Sequence, residues 1–312
     1  MCAQPIPVPT PANSLPDACF DLASPDDWYQ YMRDRFVLTG LSRRSAETYA
    51  GQVRILVRDV GKSPSLMTPA EVRRFMLDRQ TALNGSSLKI LYRALRLLFN
   101  DTLKLDWELV RTARSKREKT EPTILTRGEV DRLFRATDEV GFYCFLRTVY
   151  SCGLRVSEAL RLRPGDVDRA AGMLHVRKGK GAKDRKVILP PATLRMLGQY
   201  WRTHCNANWI FPSRLANGKG VPGTDRTMSR DTVGRALRRS LRVAGITKAR
   251  VTIHTLRHSY ATHMLEAGVP LTVLQRQLGH KCIETTLHYV HLSAPAQIDA
   301  IAAVGELMRV IR

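Results

Sequence analysis

The chain has 312 residues, enough for one large domain or two ordinary ones. Fifty Lys and Arg against 28 Asp and Glu leave a formal net charge of +22, a surplus that repels itself unless a polyanion is the partner, nucleic acid first among them. No run of about 18 apolar residues is present to span a bilayer. The opening "MCAQPIPVPTPANSLP" has neither the basic start nor the apolar run of a secretion signal. We therefore expect a cytoplasmic protein with no membrane partner. Cys2, Cys19, Cys144, Cys152, Cys205 and Cys282 are scattered without a C-x-x-C pair. That argues for reduced thiols, several of them buried, not for a disulfide framework or a zinc finger.

Residues 1–24 are Pro-rich and read as a mobile tail. Four helical patterns follow, over about 25–105. "SPDDWYQYMRDRFVL" opens on a cap-like Ser24-Pro25, and "SRRSAETYAGQVRILVRDVG" lines up Tyr49, Val53, Leu56, Val57 and Val60 and stops at Gly61. "TPAEVRRFMLDRQ" has a capping box, Thr68 with Glu71, around Pro69. "SSLKILYRALRLLFNDTL" carries Ile90, Leu91, Ala94, Leu95, Leu98 and Phe99 on one face and Lys89, Arg93 and Arg96 on another. A small helical domain over 25–110 with basic outer faces is the expectation.

"RTARSKREKTEPT" is basic and almost free of apolar residues, and it reads as a linker over 111–124. It is either solvated or laid along a DNA backbone. A second domain begins at 125, where Thr126 and Glu129 form another capping box. "FYCFLRTVYSCGLRVSEALRL" reads as two helices joined at 151–153. After Pro164-Gly165 the period changes to two short strands, 173–177 and 186–189, around a Gly/Lys-rich turn. Helical patterns return at about 191–203, 229–244, 255–267, 271–278 and 283–291, and an amphipathic helix closes the chain over 296–312. The whole is mostly α with a small β-sheet.

"HTLRH" sets His254 and His258 four residues apart, on one helix face. A zinc protease with that spacing needs a glutamate directly after the first histidine, where Thr255 stands, and Arg257 would set a fixed cation beside the metal. Two readings remain: ordinary polar residues near a helix start, or a His-x-x-Arg clamp for an anion. Other segments also hold cationic or reactive side chains. Arg155 follows Gly153 at a helix start, Lys180 lies in "GKGAKDR", and "LGHKCIETTLHYVH" offers His280 and Tyr289. Read singly, each has a bland explanation: a surface charge, a solvated turn, a helix boundary, a core tyrosine. The glycine-lysine loop is not a nucleotide-binding loop, which needs G-x-x-x-x-G-K-[ST].

Taken in order, the set resembles the tyrosine recombinases, the phage-integrase and Xer-type family, most strongly over about 125–293. "GLRVSEAL" resembles the first arginine motif, "GKGAKDRKVILP" the lysine-bearing hairpin, "HTLRHSYATHML" the His-x-x-Arg motif and "LGHKCIETTLHYVH" the final histidine-to-tyrosine segment. The resemblance implies a core-binding domain over 25–110, an α+β catalytic domain over 125–295, and six catalytic residues: Arg155, Lys180, His254, Arg257, His280 and Tyr289. His258 receives no task from it.

The implied chemistry suits those side chains. Tyr289 is the nucleophile, but a phenol with a pKa of about 10 needs help to lose its proton, and His254 is the expected base. Arg155 and Arg257 grip the negative charge of the transition state with fixed forks, helped by His280, and Lys180 protonates the leaving 5′-oxygen. The broken bond's energy stays in a 3′-phosphotyrosine ester, so no metal, ATP or other cofactor is implied.

The partners implied are double-stranded DNA with a specific recombination site, and three further copies of the chain in a tetramer passing through a Holliday junction. The free protein is expected as a monomer or weak oligomer, and the last helix, 296–312, docks on a neighbouring protomer or packs on its own domain. A second recombinase or an accessory protein is left open. The compact architecture favours an Xer-like or mobile-element enzyme, because 190–253 is too short for the insertion of integron integrases. Two rival functions are a type IB topoisomerase, which relaxes DNA without exchanging partners, and a catalytically silent DNA-binding regulator. Retention of all six residues argues against the second.

Overall fold

The computed structural model describes residues 22, 24–115, 121–177, 184–213 and 223–290. Most of the tail expected over 1–24, the segment bearing Lys180 and the helix expected over 296–312 lie outside the described residues, as do Cys2 and Cys19. The chain divides into two compact units, one up to Thr120 and one from Glu121 onward.

The first unit is helical: α1 (Pro25–Leu38), α2 (Arg43–Val60), α3 (Pro69–Ala82), α4 (Gly85–Arg96) and the short α5 (Glu108–Thr112). Each of the first four begins at a side chain that accepts an otherwise orphaned backbone N–H. Ser24 caps Asp27, Ser42 caps Ser45, Asn84 caps Ser87, and Thr68 and Glu71 cap each other reciprocally. Trp28, Met32 and Phe36 recur every four residues on α1 and bury against Ala46, Ala50, Val53 and Val57 of α2 and Leu91 and Leu95 of α4. Lys89 and Arg93 face solvent.

Two features of this unit differ from the periodicity. The last helical pattern does not run on to 103. After Arg96 the chain widens into a π-turn, Leu97–Thr102, where Thr102 Oγ1 donates to Leu97 O at 2.8 Å and receives Arg35 Nε at 3.1 Å. The beginning of the basic segment is also packed. Its Arg111 and Thr112 belong to α5, which buries Val110 just before them, and Ser115 Oγ donates to Gly85 O at 2.6 Å. A single buried valine among charged residues leaves too little pattern to read.

The second unit contains α6 (Arg127–Arg135), α7 (Val140–Ser151), α8 (Val156–Leu160), β1 (Val167–Asp168), β2 (Met173–Val176), β3 (Arg185–Ile188), α9 (Pro191–Arg202), α10 (Arg230–Val243), α11 (Ile253–Glu266), α12 (Leu271–Leu278) and α13 (Glu284–Val290). The capping box at Thr126 and Glu129 forms. The sheet is antiparallel in the order β1-β2-β3, with Leu174 opposite Val187 and His175 opposite Lys186. Leu174, Val176 and Val187 bury one face. The sequence pattern predicts two strands, not three; β1 is only two residues long, too short to show a period of two.

The core centres on α7, whose Phe142, Phe145, Leu146 and Val149 pack with Leu133, Leu174, Phe211, Leu237 and Leu256. A smaller cluster joins Tyr260, Ala261, Leu274, Leu278 and Tyr289. Cys144 and Cys152 are buried, and burial pushes the Cys152 thiol up to about 12. No helix among the described residues is long and apolar enough to cross a membrane.

Candidate active site

Four stretches of the second unit, distant in sequence, converge: the turn from α7 into α8, strand β3, helix α11, and the turn from α12 into α13. The first bends at Gly153, whose φ of +59° belongs to the left-handed region. A Cβ there would lie 2.6 Å from the Tyr260 ring, so only glycine fits. Arg155 follows as the N-cap residue of α8.

Glu158, one turn into α8, is buried and holds three guanidiniums together. It accepts Arg155 N at 2.8 Å and Arg155 Nη1 at 2.7 Å. It accepts Arg185 through both oxygens, at 2.9 and 2.8 Å, and lies 3.9 Å from Arg257 Nη1. Burial alone would raise its pKa, but Arg185 and Arg155 outweigh it and hold the carboxyl at about 2. Three fixed cations against one anion leave the site electropositive. Gly279, with φ +64°, lets the turn after α12 pass over Arg185; a Cβ there would meet Arg185 Cδ at 2.8 Å.

Arg257 is 1% exposed, extreme for an arginine. Its fork is aimed by carbonyls: Nη1 donates to Gly153 O at 2.6 Å and Nη2 to Leu278 O at 2.5 Å. Burial and the nearby Arg155 push its pKa down to about 9, which still leaves a cation at neutral pH. Nη2 also faces His280 Nε2 at 3.2 Å. Guanidinium can only donate, so His280 Nε2 accepts and its proton sits on Nδ1, which donates to Thr286 Oγ1 at 2.9 Å. Burial and Arg257, Arg155 and Arg185 lower the His280 pKa to about 4.

Tyr289 of α13 is 3% exposed, with its ring nearly parallel to His280 at 6.2 Å between centroids. Its hydroxyl is hydrogen-bonded to His258 Nδ1 at 2.8 Å. His254, the expected base, faces solvent one helical turn earlier, with its ring edge-on to His258 at 4.7 Å. His254 lines a cavity of about 590 Å³ with Arg155, Arg230, Arg235 and Arg238. Partial withdrawal from water, with Arg257 and Arg155 nearby, keeps its pKa below the usual histidine range.

The structure thus brings Arg155, His254, Arg257, His280 and Tyr289 into one region. Lys180 lies outside the described residues, between β2 and β3 in the sequence. The sequence motifs pass over Glu158, Arg185 and His258. Glu158 carries one signal, its place three residues after the N-cap position, where a carboxylate reaches back. Among the described residues no group of three or more His, Cys, Asp or Glu gathers as a metal site.

A buried arginine fork with further guanidiniums around it defines a protein suited to binding an anionic group such as a phosphate. Comparison with known proteins makes this specific. Residues 123–295 match the phage integrase family, and residues 28–109 match the phage integrase N-terminal SAM-like domain. A putative integrase/recombinase, y4qK of Sinorhizobium fredii, is 34% identical over 282 residues, covering 89% of this chain and 88% of that protein. Tyrosine recombinase XerA of Pyrococcus furiosus is 31% identical, covering 88% and 92%. The chain therefore belongs to the phage integrase family of tyrosine recombinases, enzymes of site-specific DNA recombination. Two solved structures share the fold. XerH recombinase bound to a palindromic difH substrate has a TM-score of 0.68 at 18% identity, covering 91% of this chain and 85% of that one. A lambda integrase tetramer bound to a Holliday junction has a TM-score of 0.69 at 17% identity, covering 86% and 78%.

Proposed function

We propose that this recombinase cleaves one DNA strand with Tyr289, forms a 3′-phosphotyrosine ester and releases a 5′-hydroxyl. Arg155 and Arg257 bind the non-bridging oxygens of the scissile phosphate. His254 adds a hydrogen bond, His280 steadies the Arg257 fork by accepting from it, and Lys180 protonates the leaving oxygen. A 5′-hydroxyl from the partner strand then attacks the ester, so the exchange is isoenergetic and needs no ATP. Side-chain cations supply the charge neutralisation. The observation that carries this reading is the buried Arg257 fork, held by two carbonyls and bonded to His280, whose ring stacks on Tyr289.

In this reading residues 25–110 are a core-binding domain and 125–295 the catalytic domain. The partners are a specific duplex site and three further copies of the chain, joined by the segment 296–312 and exchanging strands through a Holliday junction. The supporting analogy is the lambda integrase tetramer on such a junction.

Covalent trapping tests it. The protein is incubated with duplexes from its own genetic neighbourhood, nicked so that the cut fragment diffuses away. An adduct that survives denaturation and maps to Tyr289 is the expected result. Adduct on another residue overturns the assignment. Relaxation of supercoiled DNA by a monomer, with no strand exchange, would favour topoisomerase chemistry instead.

A further inference from the structure

We propose that His258 is the proton acceptor for Tyr289 during strand cleavage, a catalytic residue additional to the six of the motif. The inference rests on the reading that Tyr289 is the nucleophile.

Among the described residues His258 is the side chain hydrogen-bonded to the reacting hydroxyl, Nδ1 to Oη at 2.8 Å. The alternatives are committed elsewhere. His280 has one nitrogen against Arg257 and the other against Thr286. His254 faces the cavity with Arg155 and Arg230. His288, beside Tyr289 on α13, is exposed, with ring centroids 6.5 Å apart.

The charges around His258 fix its protonation. His254 and Arg257 face it from its own helix, His280 from the turn before α13, and His288 and Tyr289 from α13. Burial and the neighbouring His254, Arg257 and His288 lower its pKa to about 4. The ring is neutral at physiological pH, so Nδ1 accepts from the phenol and the imidazole proton sits on Nε2. Burial raises the Tyr289 pKa at the same time. In the free protein the proton therefore stays on the phenol, and the pair is silent.

A bound DNA phosphate brings negative charge to Arg257, the arginine that, with burial and the neighbouring histidines, depresses the imidazole. Proton affinity rises at His258 and falls at Tyr289 as its oxygen bonds to phosphorus. The step balances: the phenol proton passes to Nδ1, the Oη–P bond forms, the P–O5′ bond breaks, and the leaving oxygen takes its proton from Lys180. In rejoining, His258 returns the proton to the departing tyrosine oxygen.

The test uses the full chain and the nicked duplexes. His258→Asn sets an amide oxygen near the position of Nδ1, an acceptor that cannot take a proton. With melting temperature and DNA affinity near wild type, we expect adduct formation at pH 7 to fall roughly 100-fold or more. The residual rate should climb about tenfold per pH unit as hydroxide replaces the base, while the wild-type rate stays flat. A fluorinated, more acidic tyrosine at 289 should restore the variant more than it speeds the wild type. Should the asparagine chain not fold, His258→Gln is measured in the same way. A folded variant that cleaves at wild-type speed with an unchanged pH profile overturns the proposal, because His258 then only holds the ring. Failure of the wild type itself to form an adduct, across a random site library, would instead remove the nucleophile reading beneath it.

Discussion

Arg185 and Glu158 are joined by two parallel hydrogen bonds that tie strand β3 to helix α8. The same carboxylate orients Arg155 and approaches Arg257, so one anion sets the position of three cations. Replacing it without removing the cations leaves them mutually repelling in a largely buried site. Glu158→Gln should cost roughly 3–5 kcal/mol of stability, the range for breaking one side of a buried pair. Urea or thermal unfolding checks this, and Glu158→Gln combined with Arg185→Met should recover part of the loss.

Acid should unfold the second unit in two stages. His258 and His280 are held neutral in the fold, with pKa values of about 4 against 6.5. Unfolded, they take up protons first, so their contribution is complete above pH 6.5 and disappears as pH falls through 4. Glu158, lowered from 4.5 to about 2, contributes fully above 4.5 and loses its contribution as pH falls through 2. Unfolding free energies measured from pH 7 to 3 should begin to decline near pH 6.5; a level curve from 7 to 5 would contradict the buried neutral histidines.

Arg257→Lys keeps a positive charge but has no planar fork to meet Gly153 O, Leu278 O and His280 together. Cleavage should fall by about 100-fold or more, in the range seen on removing one transition-state donor. DNA affinity, spread over many phosphates, should barely change. A suicide-substrate assay beside a binding titration separates the two effects.

Gly153→Ala adds a methyl against the buried ring of Tyr260 at a left-handed φ. Strain and overpacking together predict a loss of about 2–4 kcal/mol. Because Gly153 O holds Arg257, cleavage should fall further than stability explains. Adduct formation measured well below the variant's melting temperature is the check.

Salt should weaken DNA binding steeply, as expected of a chain with a net charge of +22. With six or more phosphates contacted, affinity should drop about a thousandfold between 50 and 200 mM salt. A shallow slope would mean that the exposed cations, Lys89 and Arg93 among them, do not meet the backbone.

Local chemistry made much of this fold legible. The capping boxes at Thr68 and Thr126 set helix starts, and the helix expected at 271–278 is the one observed. What escaped depends on contacts that no short window contains. The π-turn at Leu97–Thr102 keeps a helical apolar pattern and differs only in its hydrogen bonds. The bond between His258 and Tyr289 spans 31 positions and exists because α13 packs on α11. Arg185 reads like any other charge in a basic hairpin, and only the folded chain sets Glu158, 27 residues earlier, beneath it.

Several bonds that build the site close long loops: Arg257 to Gly153 across 104 residues, Arg155 to Gly279 across 124, Arg185 to Gln277 across 92. None of the four stretches can form its part of the pocket alone. Loss of the tertiary fold therefore dismantles the pocket as a whole, since no single stretch carries it.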